Sequence, residues 1–160
     1  MTSSDCCAVA GPPLAELALG SPPRLALSVR QPWAWAILYA GKRVENRTWQ
    51  TAYRGPLFIH AGMRVDFPAV DDLADVITKI PTPRPVAYCG ALIATATLLD
   101  CVPIEEVPAG QVSWAGGPWC FMLDDVRPLA QVIPQRGALG LFPIDLQTEL
   151  RALVGFDKVS

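Results

Sequence analysis

At 160 residues, 51% hydrophobic and 18% charged, the chain has the length for one domain with a buried core and is too apolar for a disordered one. A net charge of −2 and a pI near 5.3 exclude a broad, non-specific nucleic-acid coat, which needs a domain that is basic throughout. Neither a membrane span nor a secretory signal is expected: the most apolar run, Pro32 to Gly41, falls far short of the ~20 residues that cross a bilayer, and residues 1–23 hold no Lys or Arg. The cytoplasm is the expected compartment.

Residues 1–24, rich in Pro, Ser, Ala and Gly, read as a flexible N-terminal extension with a short helical turn near Leu14 to Leu19; residues 25–160 form the domain. Leu25 to Arg30 predicts a strand. Pro32 suits the first turn of a helix, Trp33, Ala36, Ile37 and Ala40 line one face of it, and Gly41 stops it. Arg43 to Trp49 alternates as a strand that sends Arg43, Glu45, Arg47 and Trp49 to one face and Val44 to the other. Tyr53 to Pro56 is a turn, Leu57 to Ala61 a buried strand, and 66–79 one helix with an acidic first half, as its dipole prefers. A Pro-rich linker at 81–85 precedes a long strand, Ala91 to Val102. An irregular loop covers 103–117, Trp119 to Leu123 is a further strand, and Leu141 to Leu153 closes with a strand end and a helix. Short strands with few helices and no βαβ series predict an α+β, mainly β fold: a small barrel with flanking helices.

The chemistry concentrates in residues 30–64. Six basic residues stand there against Glu45 alone, a local net charge of +5 on a chain that is otherwise acidic. The same window carries Trp33, Trp35, Trp49, Tyr39, Tyr53 and Phe58. Cations interleaved with rings suit a small site for a flat, anionic ligand such as one or a few nucleotides. Lys42 and Glu45 lie three apart, so a regular strand separates them; they converge only if Lys42 sits in the turn after the helix. The fork of Arg47 suits Glu45 or a phosphate. Trp33 and Trp35 face different ways, one into the core and one available for stacking. His60, the single histidine, is the natural general base, with a hydrogen-bonded core histidine as the competing reading. An ordinary structural ion pair competes for Lys42 and Glu45. Five cysteines without C-x-x-C spacing predict neither a disulfide framework nor a zinc site, and no metal or cofactor is expected.

The segment Ser28-Val-Arg-Gln-Pro-Trp-Ala-Trp, followed by Lys42-Arg-Val-Glu-Asn-Arg-Thr-Trp, resembles the activating signal cointegrator homology (ASCH) family. Its motif is G-x-K-x-x-E-x-R. Lys42, Glu45 and Arg47 match it, while Ala40 stands at the first glycine with Gly41 beside it. Tyr53-Arg-Gly-Pro-Leu-Phe-Ile-His-Ala-Gly, Gly90-Ala-Leu-Ile-Ala-Thr-Ala, Gly117-Pro-Trp-Cys-Phe and Gly140-Leu-Phe extend the likeness over about residues 25 to 145. The resemblance implies a PUA-like β-barrel with a cleft beside the first helix, and a module that binds RNA or other nucleic acid. Some relatives hydrolyse the acyl amide of N4-acetylcytidine, using a threonine where this chain has Glu45, and ribonuclease activity is attributed to others.

The expected function is therefore recognition of RNA or a modified nucleotide, or of DNA, in a cleft lined by Arg30, Gln31, Trp33, Trp35, Lys42, Glu45, Arg47 and Arg54. The alternative is a hydrolase of nucleic-acid metabolism in which Glu45 acts as base on water, Lys42 stabilises the oxyanion and His60 assists. A protein-interaction domain is a third reading, since aromatic surfaces serve that role too. Replacing Lys42 or Arg47 by Ala is expected to weaken binding and leave the melting point nearly unchanged.

Overall fold

In the computed structural model, which describes residues 23–145 apart from 83, 85 and 86, Leu25–Gln31 forms strand β1 with alternating faces. Leu27 and Val29 point into the main core with Leu57, Ile59 and Ile93, whereas Ala26 lies in a second cluster with Phe58, Leu92 and Phe142. Burial on both faces explains why Leu25 to Leu27 is apolar at successive positions. Helix α1, Trp33–Tyr39, follows at once, and its Ala34 and Ile37 cover the main core. Next come β2 (Val44–Arg47), β3 (Gly55–Val65), β4 (Ala91–Pro103), β5 (Trp119–Pro134) and β6 (Leu141–Pro143). Two short helices, α2 (Phe67–Asp72) and α3 (Ala74–Lys79), stand where one helix over 66–79 is expected; they meet at Leu73. The loop at 103–117 contains two 3₁₀ turns, Ile104–Glu106 and Ala109–Trp114.

All six strands join one sheet in the order β2-β5-β4-β3-β1-β6, with β1 and β3 parallel and every other pair antiparallel. The fold is thus mainly β with a few helices. Among the described residues no ladder joins β2 to β1 or β6, so the sheet is not a closed barrel. It is nonetheless strongly curled. In a flat sheet, four strand spacings would hold β2 about 19 Å from β1. Yet the Arg47 guanidinium on β2 donates to the Ser28 carbonyl on β1 at 2.5 Å.

Strand β5, which runs well beyond the short strand expected at Trp119 to Leu123, carries most of the sheet's register irregularities, the kind that bend a sheet. Its pairing with β4 shifts register three times, between Leu92/Ala94, Thr95/Thr97 and Leu98/Asp100. Asp125 sits at one irregularity with a left-handed φ of 45°, a conformation that aspartate tolerates better than most residues. The acidic pair and Pro128 read as a strand end, but bulges absorb both. No helix among the described residues is long and apolar enough to cross a membrane. The helical turn expected near Leu14 to Leu19 and the closing helix toward Leu153 lie outside the described residues.

Candidate nucleic-acid interface

Between α1 and β2 the chain reverses at Gly41, whose φ of 73° favours glycine. The turn is pinned on several sides. Lys42 N donates to Ala36 O at 3.1 Å, Leu123 N to Arg43 O at 2.9 Å, and the Gln111 side chain bridges Arg43 N and Gly41 O at 2.7 and 3.1 Å. Arg43 turns its guanidinium back onto the Ile37 and Lys42 carbonyls, closing the C-terminal end of α1. With its backbone held this way, Lys42 points inward. Its Nζ donates to Val44 O and reaches Glu45 Oε2 at 2.9 Å.

Glu45 is shared. Its Oε1 lies 3.1 Å from Arg47 Nη2, so each carboxylate oxygen faces one cation. The side chains are 2%, 11% and 19% exposed for Lys42, Glu45 and Arg47, which grades the cluster from a sealed end to an open one. Burial, above all, pushes the Arg47 pKa down from its usual value; Glu45 opposes this and nearby Arg30 reinforces it. A guanidinium stays charged through such shifts. Its Nε is buried and has no hydrogen-bond partner among the described residues. Two cations and one carboxylate leave this cluster with a net charge of +1, in a setting where charges are costly to hide. Burial of Lys42 also corrects one expectation from sequence. Lys42→Ala would empty the space of a fully buried side chain and take the donor from Val44 O and Glu45 Oε2, so only the Arg47 substitution is expected to spare the melting point.

β2 pairs with β5 so that Glu45 lies opposite Phe121 and Arg47 opposite Trp119. Trp49, two residues beyond Arg47, meets Phe121 edge to face at 5.0 Å and 89°. The site therefore rests directly on the aromatic part of the main core.

The remaining sequence candidates fall into separate places. Arg30 is exposed beside the cluster. Gln31 is buried; its Oε1 accepts from Trp35 N and its Nε2 donates to Tyr88 O, both at 3.0 Å. Trp35 is buried too, with its indole N–H on Thr82 Oγ1 at 3.0 Å, while Trp33 is half-exposed near Asp66. Arg54 is committed to Asp100 at 2.7 Å and to the Thr51 and Tyr53 carbonyls. A cavity of about 530 Å³ beside α1, lined by Tyr39, Tyr88, Ile93 and Val132 among others, includes none of Lys42, Glu45 and Arg47. Among the described residues no group of three or more His, Cys, Asp or Glu is placed to hold a metal ion.

His60 lies on the opposite sheet face from the cluster, beside Phe142 in the second apolar cluster. Nε2 lies 2.8 Å from Gln135 O and therefore carries the proton; Nδ1 then accepts from Ser28 Oγ, also at 2.8 Å. Gly137 packs so tightly here that a Cβ would come within 2.6 Å of His60 Cε1. Burial pushes the His60 pKa down, with the Gln135 bond opposing. The unfolded chain then binds more protons than the folded one between the two pKa values. The His60 contribution to stability is thus expected to be complete above about pH 6.5 and to fall as the pH drops from there toward the lower folded value. Urea midpoints measured across that range for wild type and His60→Gln check this; parallel curves would remove His60 as the cause.

Ser28 and Gln111 are the residues that sequence reasoning missed. Ser28 carries its carbonyl to Arg47 and its hydroxyl to His60, and Gln111 comes from the loop at 103–117, which has no periodic signal.

Residues 27–116 match the model of the ASCH domain. Human activating signal cointegrator 1 is 25% identical over 140 residues, covering 82% of this chain and 24% of its own length. The mouse protein of that name is 34% identical over 88 residues, covering 50% and 15% respectively. The chain thus spans about a quarter or less of these relatives. The crystal structure of ASCH from Zymomonas mobilis aligns with 82% of this chain and 94% of its own at 17% identity, with a TM-score of 0.43. With more than half of its length inside the family match, the chain belongs to the ASCH domain family.

Proposed function

We propose that the chain is a nucleic-acid-binding module that takes RNA or a modified nucleotide at the Arg47 end of the Lys42–Glu45–Arg47 cluster. One observation carries this reading. Arg47 is the most exposed member of a buried cluster whose net charge is positive, and Arg30 stands beside it. An incoming phosphate supplies the missing anion, and the half-exposed rings of Trp33 and Trp49 offer stacking faces. Lys42 and Glu45 then act from behind, by holding the guanidinium in place, and Gln31 and Trp35 support the helix. The family's association with nucleic acid agrees with this reading.

The hydrolase reading draws on the same pair. Both Glu45 oxygens already accept from cations, and His60 faces the other way, which leaves no free base at the cluster. Binding is therefore the conclusion, and turnover of N4-acetylcytidine or a short RNA by wild type but not by Glu45→Gln would reverse it.

Arg47→Ala is expected to weaken single-stranded RNA binding and to flatten the plot of log affinity against log salt by about 0.7, one phosphate contact. Fluorescence anisotropy over a salt series measures both quantities. Unchanged affinity and slope in Arg47→Ala would sink the proposal.

A further inference from the structure

Beyond the cluster, the ends of β1 and β3 build a surface that the ion pairs leave unused. The two strands are in register up to Val29 opposite Ala61, and again at Gln31 opposite Val65. Between these points β1 has Arg30 alone, whereas β3 has Gly62, Met63 and Arg64. The surplus residues must bulge outward. Met63 is 74% exposed, and Arg30 and Arg64 are exposed beside it. Neither arginine makes an ion pair among the described residues.

The chain then turns at Asp66, whose N–H donates to Gln31 O at 2.7 Å and whose Oδ1 accepts from Ala69 N at 3.3 Å. Asp66 thus both ties β3 to β1 and caps α2. Phe67, the first residue of α2, is left 67% exposed. Met63 Sδ rests over Gly90 while most of the side chain stays exposed, and the phenyl ring of Phe67 and the guanidinium groups of Arg30 and Arg64 are exposed on the same end of the two strands and the turn that follows; exposed apolar groups of this kind cost solvation. Arg47 connects this surface to the cluster, since it bonds Ser28 O, two residues before Arg30, and feels the Arg30 charge.

Resting on the nucleic-acid reading above, we infer that Arg30, Met63, Arg64 and Phe67 continue the site, so that the ligand is a single strand of several nucleotides rather than a lone nucleoside. In this arrangement Arg47 holds one phosphate, Arg30 and Arg64 hold the backbone that follows, and a base stacks on Phe67 with Met63 at its edge. Single-strandedness follows from the ring: a base must leave its helix to present a face to Phe67, whereas a duplex offers the arginines phosphates alone. The exposed carboxylates of Asp71 and Asp72 at the end of α2 repel phosphate and mark the far limit of the path.

The test is a length series: uridine monophosphate, and the tri- and hexanucleotides of oligouridylate, titrated into wild type, Phe67→Ala, Phe67→Trp, Arg64→Ala and Arg47→Ala. Affinity is expected to rise with length in wild type. Phe67→Ala should weaken the hexanucleotide about 5- to 150-fold, the range of one stacked base, and leave the mononucleotide and the melting point unchanged. Phe67→Trp should retain the hexanucleotide affinity, Arg64→Ala should flatten its salt slope, and Arg47→Ala should weaken every length. Affinity independent of length, with Phe67→Ala silent, would overturn the extension while the Arg47 site stood. No binding of any length by wild type would overturn both readings. Competition of the hexanucleotide at equal concentration by a stable hairpin duplex without single-stranded tails would overturn the single-strand assignment.

Discussion

Glu45→Leu is expected to destabilise the fold by about 3–5 kcal/mol, because it strands Lys42 inside the protein without its carboxylate. Lys42 is 2% exposed and, among the described residues, keeps only Val44 O, while Arg47 keeps only Ser28 O. For a chain of this size, such a loss lowers the melting temperature on the order of 10 °C. Glu45→Gln keeps the acceptor oxygen and loses the charge, so its effect falls between leucine and wild type. Arg47→Ala should cost much less, since it leaves a matched Lys42–Glu45 pair. Replacing Lys42 and Glu45 together, by Met and Leu, should recover most of the loss, since removing both partners of a buried pair is often neutral. Urea denaturation of the four variants measures the series. A Glu45→Leu unfolding free energy within about 0.5 kcal/mol of wild type would mean that the cations are solvated in solution.

Phe121→Ala is expected to cost a similar ~3–5 kcal/mol and to damage the site as well. Phe121 is fully buried, lies opposite Glu45 in the ladder and supports Trp49 edge to face. Truncation opens a cavity beneath both. Phe121→Leu largely keeps apolar bulk and loses the ring contact, worth about 0.5–1.5 kcal/mol, so it should fold and still bind RNA more weakly than wild type. Stability and RNA affinity measured together separate the two roles. Full affinity in a folded Phe121→Leu would show that Trp49 is not positioned through this ring.

Much of the fold was legible because its local signals agree with its packing. The apolar run from Leu25, the helix bounded by Pro32 and Gly41, and the strand Ala91 to Val102 form where the sequence places them, although the helix buries Ala34 to Ile37 and leaves Trp33 and Ala40, which its expected face included, only half-buried. The length of β5 was not legible. Asp124, Asp125 and Pro128 oppose a strand locally, and only three register shifts against β4 let the chain keep pairing through them.

For the candidate site, sequence by itself singled out one carboxylate among cations and rings, inside the stretch that the ASCH match covers. Spacing also stated the condition for Lys42 to meet Glu45, a turn after the helix, and the Gly41 reversal meets it. Exposure was decided only by the tertiary structure. Nothing in the local sequence seals Lys42 while Arg47 stays open, turns His60 to the far face beside Gln135, or buries Trp35 and not Trp33. These outcomes depend on the curl that brings β2 to β1 across the intervening strands and on Gln111 reaching back from a distant loop. Local pattern assigns a side chain to a face; what lies over that face is set by contacts far apart in the chain.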